Sequence, residues 1–382
     1  MQPNLPQTVL AACLAAAACS AAETFSAALP LAIVDPVAAR VVARLPSGPD
    51  PHEVVASRGL AFISNYGGNN TLSVVDLVAQ KALAPINLGA LRSPHGLWVA
   101  EGKVYFTAEA NKIIGRYDPA AQQIDWLLGL GQERTHMIVV SQDAKRIYTS
   151  NVNSDTISLV ERGSGPGGPG GDPGPSGPPG DGGPGGPRPD GPPPGGPPPG
   201  APNAGGPPPG GPDGQGGPGG RPGPGGGLGG PPRFGPPGGG GWSATHVAVG
   251  KGPEGFDVSP DGKEVWAANS HGGTVSNIDV AKKSVVETLT VGPRMANRLK
   301  FTPDGKFVFI SDLGGRDLVV LDAGARKKHK LIALGNGAAG ILMQPDGPKA
   351  YVASGNGVTV IDLKTMEAAG RTETGPSPRG AR

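Results

Sequence analysis

Six times along this 382-residue chain a short apolar run, a tight turn and a second β-type run follow one another in the same order. The first runs lie at 51–57, 94–100, 136–141, 253–259, 297–302 and 339–344, and the second at 60–65, 104–109, 146–151, 264–269, 307–312 and 349–354. The turn between them is clearest in Ser259-Pro260-Asp261-Gly262, Thr302-Pro303-Asp304-Gly305 and Gln344-Pro345-Asp346-Gly347. Proline presets φ at the first central position, and glycine accepts the positive φ that closes the hairpin. A third run alternates and ends on an acid: Asp35, Asp76, Asp118, Glu161, Asp279, Asp322 and Asp362. A repeat of about 40 residues holding four short strands is the size of one propeller blade. The expectation is an all-β, seven-bladed β-propeller. Its seventh blade is incomplete, because the N-terminus supplies only the outer runs 31–35 and 40–45 while the C-terminus restarts the repeat at 375–380 and then stops at Arg382. Joining the termini in one blade removes a free sheet edge, and 23–29 is a candidate further strand. Six closed blades with a loose N-terminal hairpin is the alternative.

The pattern Pro-x-Gly, apolar run, Ser-Pro-Asp-Gly-Lys, a strand ending in Asn, and then Thr-Val-Ser-x-Ile-Asp resembles the YVTN family of exported β-propellers. Residues 253–279 carry it best, from Gly252-Pro253-Glu254-Gly255 to Thr274-Val275-Ser276-Asn277-Ile278-Asp279. The likeness runs over about 31–378 outside one insert. It is weakest in the second blade, where Ala100-Glu101-Gly102-Lys103 shortens the turn and Gly115 interrupts the third strand. The resemblance implies a ring outside the cytoplasm. It implies no single activity, since related rings serve as binding platforms, lactonases and parts of redox enzymes.

The insert is 163–241, whose 79 residues hold 37 of the chain's 67 glycines and 27 of its 45 prolines. Glycine recurs at every third position from Gly165 to Gly186, the collagen period, but the register fails at Pro189. Three chains and an unbroken axial glycine are needed for a triple helix. The segment therefore reads as a disordered or polyproline II excursion, joining the third strand of one blade to its fourth at small entropic cost. It tethers the ring to a partner or a cell wall, or it is a slipped repetitive tract. Residues 1–22 carry no charged side chain, which leaves the α-amino group as their positive charge, and the run Thr8 to Cys19 has the length of a signal-peptide core. The organisation is thus signal peptide 1–22, propeller 23–162, insert 163–241 and propeller 242–382, exported to the periplasm or beyond. Lipoprotein anchoring through Leu10-Ala11-Ala12-Cys13 is an alternative. Both cysteines lie in the leader, so the mature chain has no disulfide or thiolate chemistry. The formal charge of +2 excludes a dedicated nucleic-acid binder, and no stretch is long and apolar enough for a transmembrane helix. The chain is expected to be a monomer.

Chemistry is concentrated at one repeat position. One position at the start of the first run reads His52, His95, His136, Glu254, Asn297 and Ala339 in successive blades. Ring symmetry brings these positions together at the channel mouth, where three imidazoles and a carboxylate suit Zn²⁺, Cu²⁺ or Fe²⁺. His52, His95, His136 and Glu254 are the candidate metal ligands. Arg92, Arg134 and Arg294 precede the same run, and with Asn297 they are candidates for holding a small anionic ligand. Duplication of a structural histidine lining a wet channel explains the same pattern without a ligand. The ends of the second runs, Asn65, Glu109, Asn151, Asn269 and Asp312, would rim the same face, with loop capping as their ordinary role. Phosphate-binding loops, a Gly-x-Ser-x-Gly elbow and a Cys-x-x-Cys-His haem motif are absent. Three functions follow: a binding or scaffold protein for an unknown protein or ligand, a metal-dependent lactonase or lyase, and a propeller subunit of a periplasmic redox complex.

Overall fold

The computed structural model describes residues 10–12, 31–35, 40–68, 70–163, 241–293, 295–345 and 347–375. Six four-stranded antiparallel sheets follow one another as blades 1 to 6, at 51–87, 94–129, 135–162 with 242–248, 253–290, 296–333 and 338–373. In each blade the strands lie in chain order. First strands of neighbouring blades face one another around the channel, and fourth strands form the rim.

Burial follows the same radial order. The middle strands of blade 1, Leu60–Asn65 and Thr71–Asp76, are buried almost throughout, while its fourth strand Lys81–Asn87 is mostly exposed. Large side chains fill the spaces between blades: Trp266, Leu299, Phe301 and Ile310 join blades 4 and 5, and Phe309, Leu318, Ile341 and Val352 join blades 5 and 6. Each fully buried aromatic or aliphatic chain of this size contributes roughly 1.5–3 kcal/mol.

The repeat residues have identifiable tasks. The acids closing the third strands cap the next turn: Asp76 Oδ1 accepts the N–H groups of Val78 and Ala79, and Asp362 Oδ1 those of Lys364 and Thr365. In the turns at 259–262 and 302–305, Ser259 and Thr302 accept the N–H of the returning strand, and Gly262 and Gly305 sit at φ +71°. The third such turn includes Asp346, outside the described residues. The glycine of Pro-x-Gly is needed for close approach. A Cβ on Gly96 would lie 2.5 Å from the carbonyl oxygen of His136, and one on Gly255 would lie 2.4 Å from that of Asn297.

A seventh sheet has three strands, Leu10–Ala12, Leu31–Asp35 and Arg40–Leu45, in that order. It occupies the ring position between blades 6 and 1. Arg44 donates to the Thr374 carbonyl oxygen at 2.9 and 3.3 Å on one side, and Leu31 packs with Ala61, Ile63 and Val75 of blade 1 on the other. The outer two strands match the expected half-blade. Among the described residues the inner neighbour of Leu31–Asp35 is Leu10–Ala12, three residues of the run read as a leader core. The restart at 376–380 and the extra strand at 23–29 lie outside the described residues. So does 164–240, although both ends of the insert are placed. Arg162 pairs with Trp242, and Gly163 N–H donates to the Gly241 carbonyl oxygen at 2.8 Å, at the third-to-fourth connection of blade 3. Among the described residues no helix is long and apolar enough to cross a membrane.

Candidate functional site

His52, His95 and His136 meet at the channel mouth as a stack of imidazoles. The ring centroids of His52 and His95 are 4.6 Å apart, and those of His95 and His136 are 3.7 Å apart. The repeat places them there because each is second in an innermost strand, and neighbouring innermost strands are in contact. The residues introducing these strands, Asp50, Ser93 and Arg134, hold φ of +50°, +56° and +53°, and the equivalent residue of blade 4 is Gly252 at +66°. The same left-handed backbone recurs in outer hairpin turns, at Gln80, Gln122, Lys283 and Arg326, so it is a turn feature of the repeat.

The three rings differ electrically. His52 Nδ1–H donates to the Asp50 carbonyl oxygen at 3.0 Å; burial lowers its pKa and outweighs Asp50, leaving a neutral ring with its lone pair on Nε2. His95 is 1 % exposed, and among the described residues neither ring nitrogen has a hydrogen-bond partner. Burial, then the charge of His136, holds its pKa well below the usual value. His136 is also buried, which disfavours its charged form. The charges of Glu254 and Glu109 and their contacts overcome that and raise its pKa. Its Nδ1–H donates to Glu109 Oε1 in a short bond, and Nε2 lies 2.8 Å from Glu254 Oε2, off the line of a good hydrogen bond. Burial works against ionising Glu254 too, but His136 and then Arg134 bring its pKa down to about 2.

Cations and carboxylates balance around the stack. Arg134 lies 3.6 Å from Glu109 and 3.5 Å from Glu254, and Tyr66 donates its hydroxyl to Glu109 Oε2 at 2.9 Å. Arg298 of blade 5 reaches across the channel to Glu53 of blade 1, with Nη2 in a short contact and Nε at 3.1 Å. One step further along the inner strands, Lys300 Nζ of blade 5 sits 5.3 Å from the ring centre of Trp98 in blade 2. Lys300 is itself paired with Asp257 at 3.3 Å, so Glu53, Glu109, Glu254 and Asp257 answer Arg134, Arg298, Lys300 and His136, and the group offers no excess positive charge to an anion. Nitrogen and oxygen atoms of His95, Glu109 and His136 all lie within 4.8 Å of one another, a spacing that one metal ion can bridge.

The structure therefore brings His52, His95, His136, Glu254 and Arg134 together. Asn297 is buried on the next blade, Arg92 is exposed and makes no ion pair among the described residues, and Arg294 lies outside them. Glu109 enters the site for a reason different from the one its sequence position indicated. The second strand of blade 2 ends at Ala108, whose partner Pro94 corresponds to the Pro51 opposite Asn65. Glu109 is therefore equivalent to Tyr66, one residue past the strand, and it opens a 3-10 turn. In blades 1, 3 and 4 the terminal Asn instead bonds inside its own blade: Asn65 to Thr71 and Ser73, Asn151 to Thr156 and Ser158, Asn269 to Thr274 and Ser276. Blade 2 has Gly115 at the place of that Ser, because Phe106 fills the space 2.3 Å from where its Cβ would stand. Tyr66, Glu53 and Arg298 carry no repeat signal of their own, and the sequence reading missed them.

No family model and no curated protein matches the chain, so the likeness to YVTN rings rests on the motifs alone. Solved structures share the fold. Hydrazine synthase of Kuenenia stuttgartiensis superposes with a TM-score of 0.56 at 16 % identity, over 86 % of this chain and 88 % of that one. The dihydro-heme d1 dehydrogenase NirN, in complex with DHE, gives 0.54 at 13 % identity over 92 % of this chain and 63 % of its own. A functionally unknown protein from Desulfotomaculum acetoxidans DSM 771 gives 0.61 at 9 % identity, over 94 % and 96 %. At these identities the likeness establishes a β-propeller.

Proposed function

We propose that this chain is an exported binding protein whose propeller holds one divalent transition-metal ion at the channel mouth, on His95, His136 and Glu109. The observation that carries this reading is His95, a fully buried neutral imidazole with both nitrogens unpartnered, packed against an imidazole–carboxylate pair. Buried polar groups without partners are rare, and each calls for a ligand or water. Two imidazoles and a carboxylate are a borderline donor set suited to Zn²⁺, Cu²⁺ or Fe²⁺, and three protein ligands leave a position open for a further ligand. Glu254 and Glu109 favour the protonated ring of His136, and a metal held there would compete with that proton. Glu254 and Arg134 then act as the outer partners that orient His136 and Glu109, and His52 lines the approach.

Elemental analysis of the purified chain, followed by Zn²⁺ titration after chelation, tests the reading. One equivalent of metal, lost in His95→Ala, is the expected result. A full chain without metal that also fails to take up Zn²⁺ would refute it. A second reading, a propeller subunit of a periplasmic redox assembly, is favoured by the shared fold of hydrazine synthase and NirN. Without a Cys-x-x-Cys-His motif, haem of the attached kind would come from a partner. Co-purification of a haem-absorbing protein with the tagged chain would support it.

A further inference from the structure

Three hydroxyls in the second strands of blades 1 to 3 hold the backbone of the site. Ser64, Thr107 and Ser150 are each the fifth residue of a second strand, in blades 1, 2 and 3, and each is fully buried. Each accepts an N–H from the first strand of its own blade: Glu53 to Ser64 at 3.0 Å, Gly96 to Thr107 at 2.8 Å and Met137 to Ser150 at 3.2 Å. Each then donates across the blade gap to the carbonyl oxygen of the next site residue. Ser64 reaches His95 at 2.7 Å, Thr107 reaches His136 at 2.7 Å, and Ser150 reaches Glu254 at 3.0 Å. The bridges fall where the pairing of first and second strands is interrupted, between Pro51 and Val54, Pro94 and Leu97, and Thr135 and Ile138. At those breaks the ladder leaves backbone groups unpaired, and the hydroxyl supplies the partner.

A purely architectural bridge would recur in all six blades, and this one does not. Blades 4 and 6 have Ala268 and Ala353 at the same position. Blade 5 keeps a hydroxyl, Ser311, which takes the Arg298 N–H at 2.9 Å but turns back to Arg298's own carbonyl at 3.5 Å. Among the described residues of the second strands, the blade-to-blade link is thus made where the following blade carries His95, His136 or Glu254. We infer that Ser64, Thr107 and Ser150 are positioning residues that fix the spacing of the imidazole stack and so set the metal affinity of the channel site. This rests on the metal reading above. Thr107 is central, since its two bonds hold both Gly96, next to His95, and His136.

The test uses the full chain, stripped of metal and titrated with Zn²⁺, with Co²⁺ absorption reporting ligand geometry. Thr107→Val keeps the shape and removes the hydroxyl. Loss of outer partners of metal ligands costs about 10–100-fold in affinity, and that is the expected weakening, with an altered Co²⁺ spectrum. Thr107→Ser restores both. Ser311→Ala, which removes the equivalent hydroxyl away from the site, leaves affinity and spectrum unchanged. If Thr107→Val is not recovered folded, Ser64→Ala carries the same expectation through His95. Unmodified chain that binds Zn²⁺, beside variants that bind it equally well, would overturn the positioning role and leave the metal site standing. Equal weakening by Ser311→Ala would assign the hydroxyls to general stability. Failure of the unmodified chain to bind metal would remove the site and the positioning role together.

Discussion

Blades 4 to 6 and blades 1 to 3 are copies of one unit that have been put to different ends. Blades 4 and 5 keep the Pro-Asp-Gly turns, with the capping hydroxyls of Ser259 and Thr302 and glycine at φ +71°. Their channel positions, Asn297 and Ala339 among them, bring no histidine. Blades 1 to 3 lack the Pro-Asp-Gly turn, and blade 2 also departs at the end of its second strand, where Ala108 stands in place of the Asn. There the histidines stack, Glu109 swings out of a strand end, and hydroxyls cross the blade gaps. Fidelity to the repeat marks the scaffold, and departures from it mark the chemistry.

Mutations break this comparison in order of size. His95→Ala is expected to abolish Zn²⁺ binding, at least about 100-fold by loss of a direct ligand and its geometry, while Asn297→Ala changes it less than about twofold. Calorimetric titration of both distinguishes the two sides of the ring. In the scaffold half, Phe309→Ala empties a fully buried position between blades 5 and 6 and is expected to cost about 3–5 kcal/mol in urea unfolding. Metal affinity of the folded fraction should not move. Glu53→Gln leaves Arg298, 7 % exposed, without its cross-channel charge partner. A loss of about 1–3 kcal/mol is expected, measured the same way.

The acid response sharpens the comparison further. Glu254 has a folded pKa of about 2 against an ordinary unfolded value of about 4.3. A depressed carboxyl contributes stability that is present above the unfolded value and is lost as pH falls through the folded one. Up to about 3 kcal/mol is therefore lost between roughly pH 4 and pH 2. Glu254→Gln should flatten that limb of the stability–pH curve. His136 runs the other way, since its raised pKa makes its contribution complete below about pH 6.5 and lost as pH rises through the folded value.

The sequence made the scaffold legible because period, turn and strand-end acids are local signals. Six blades, the placement of the insert between two strands of blade 3, and the gathering of His52, His95 and His136 follow from counting. What escaped counting has a physical cause in each case. Glu109 slipped by one residue because Gly115 and Phe106 replace the Asn–Ser bond that fixes the strand end elsewhere. Glu53 and Arg298 lie 245 positions apart, in blades that touch only across the channel. Ser64, Thr107 and Ser150 sit inside apolar runs, where a single hydroxyl looks like a neutral filler. Residues Leu10–Ala12 read as leader, yet they pair with Leu31–Asp35, so the two descriptions compete for the same three residues. The mass of the chain purified from its host decides between them: a start near Glu23 places the cleavage as read, and a start at Met1 keeps the strand.

The central claim is that the half of the ring departing from the repeat holds a metal ion. Crystals of the chain grown with Zn²⁺, with diffraction recorded on both sides of the zinc absorption edge, test it most directly. The account predicts one anomalous peak within about 2.0–2.2 Å of a nitrogen of His95, a nitrogen of His136 and an oxygen of Glu109. A channel mouth without a peak, or zinc found only at exposed acids on the rim, would contradict it.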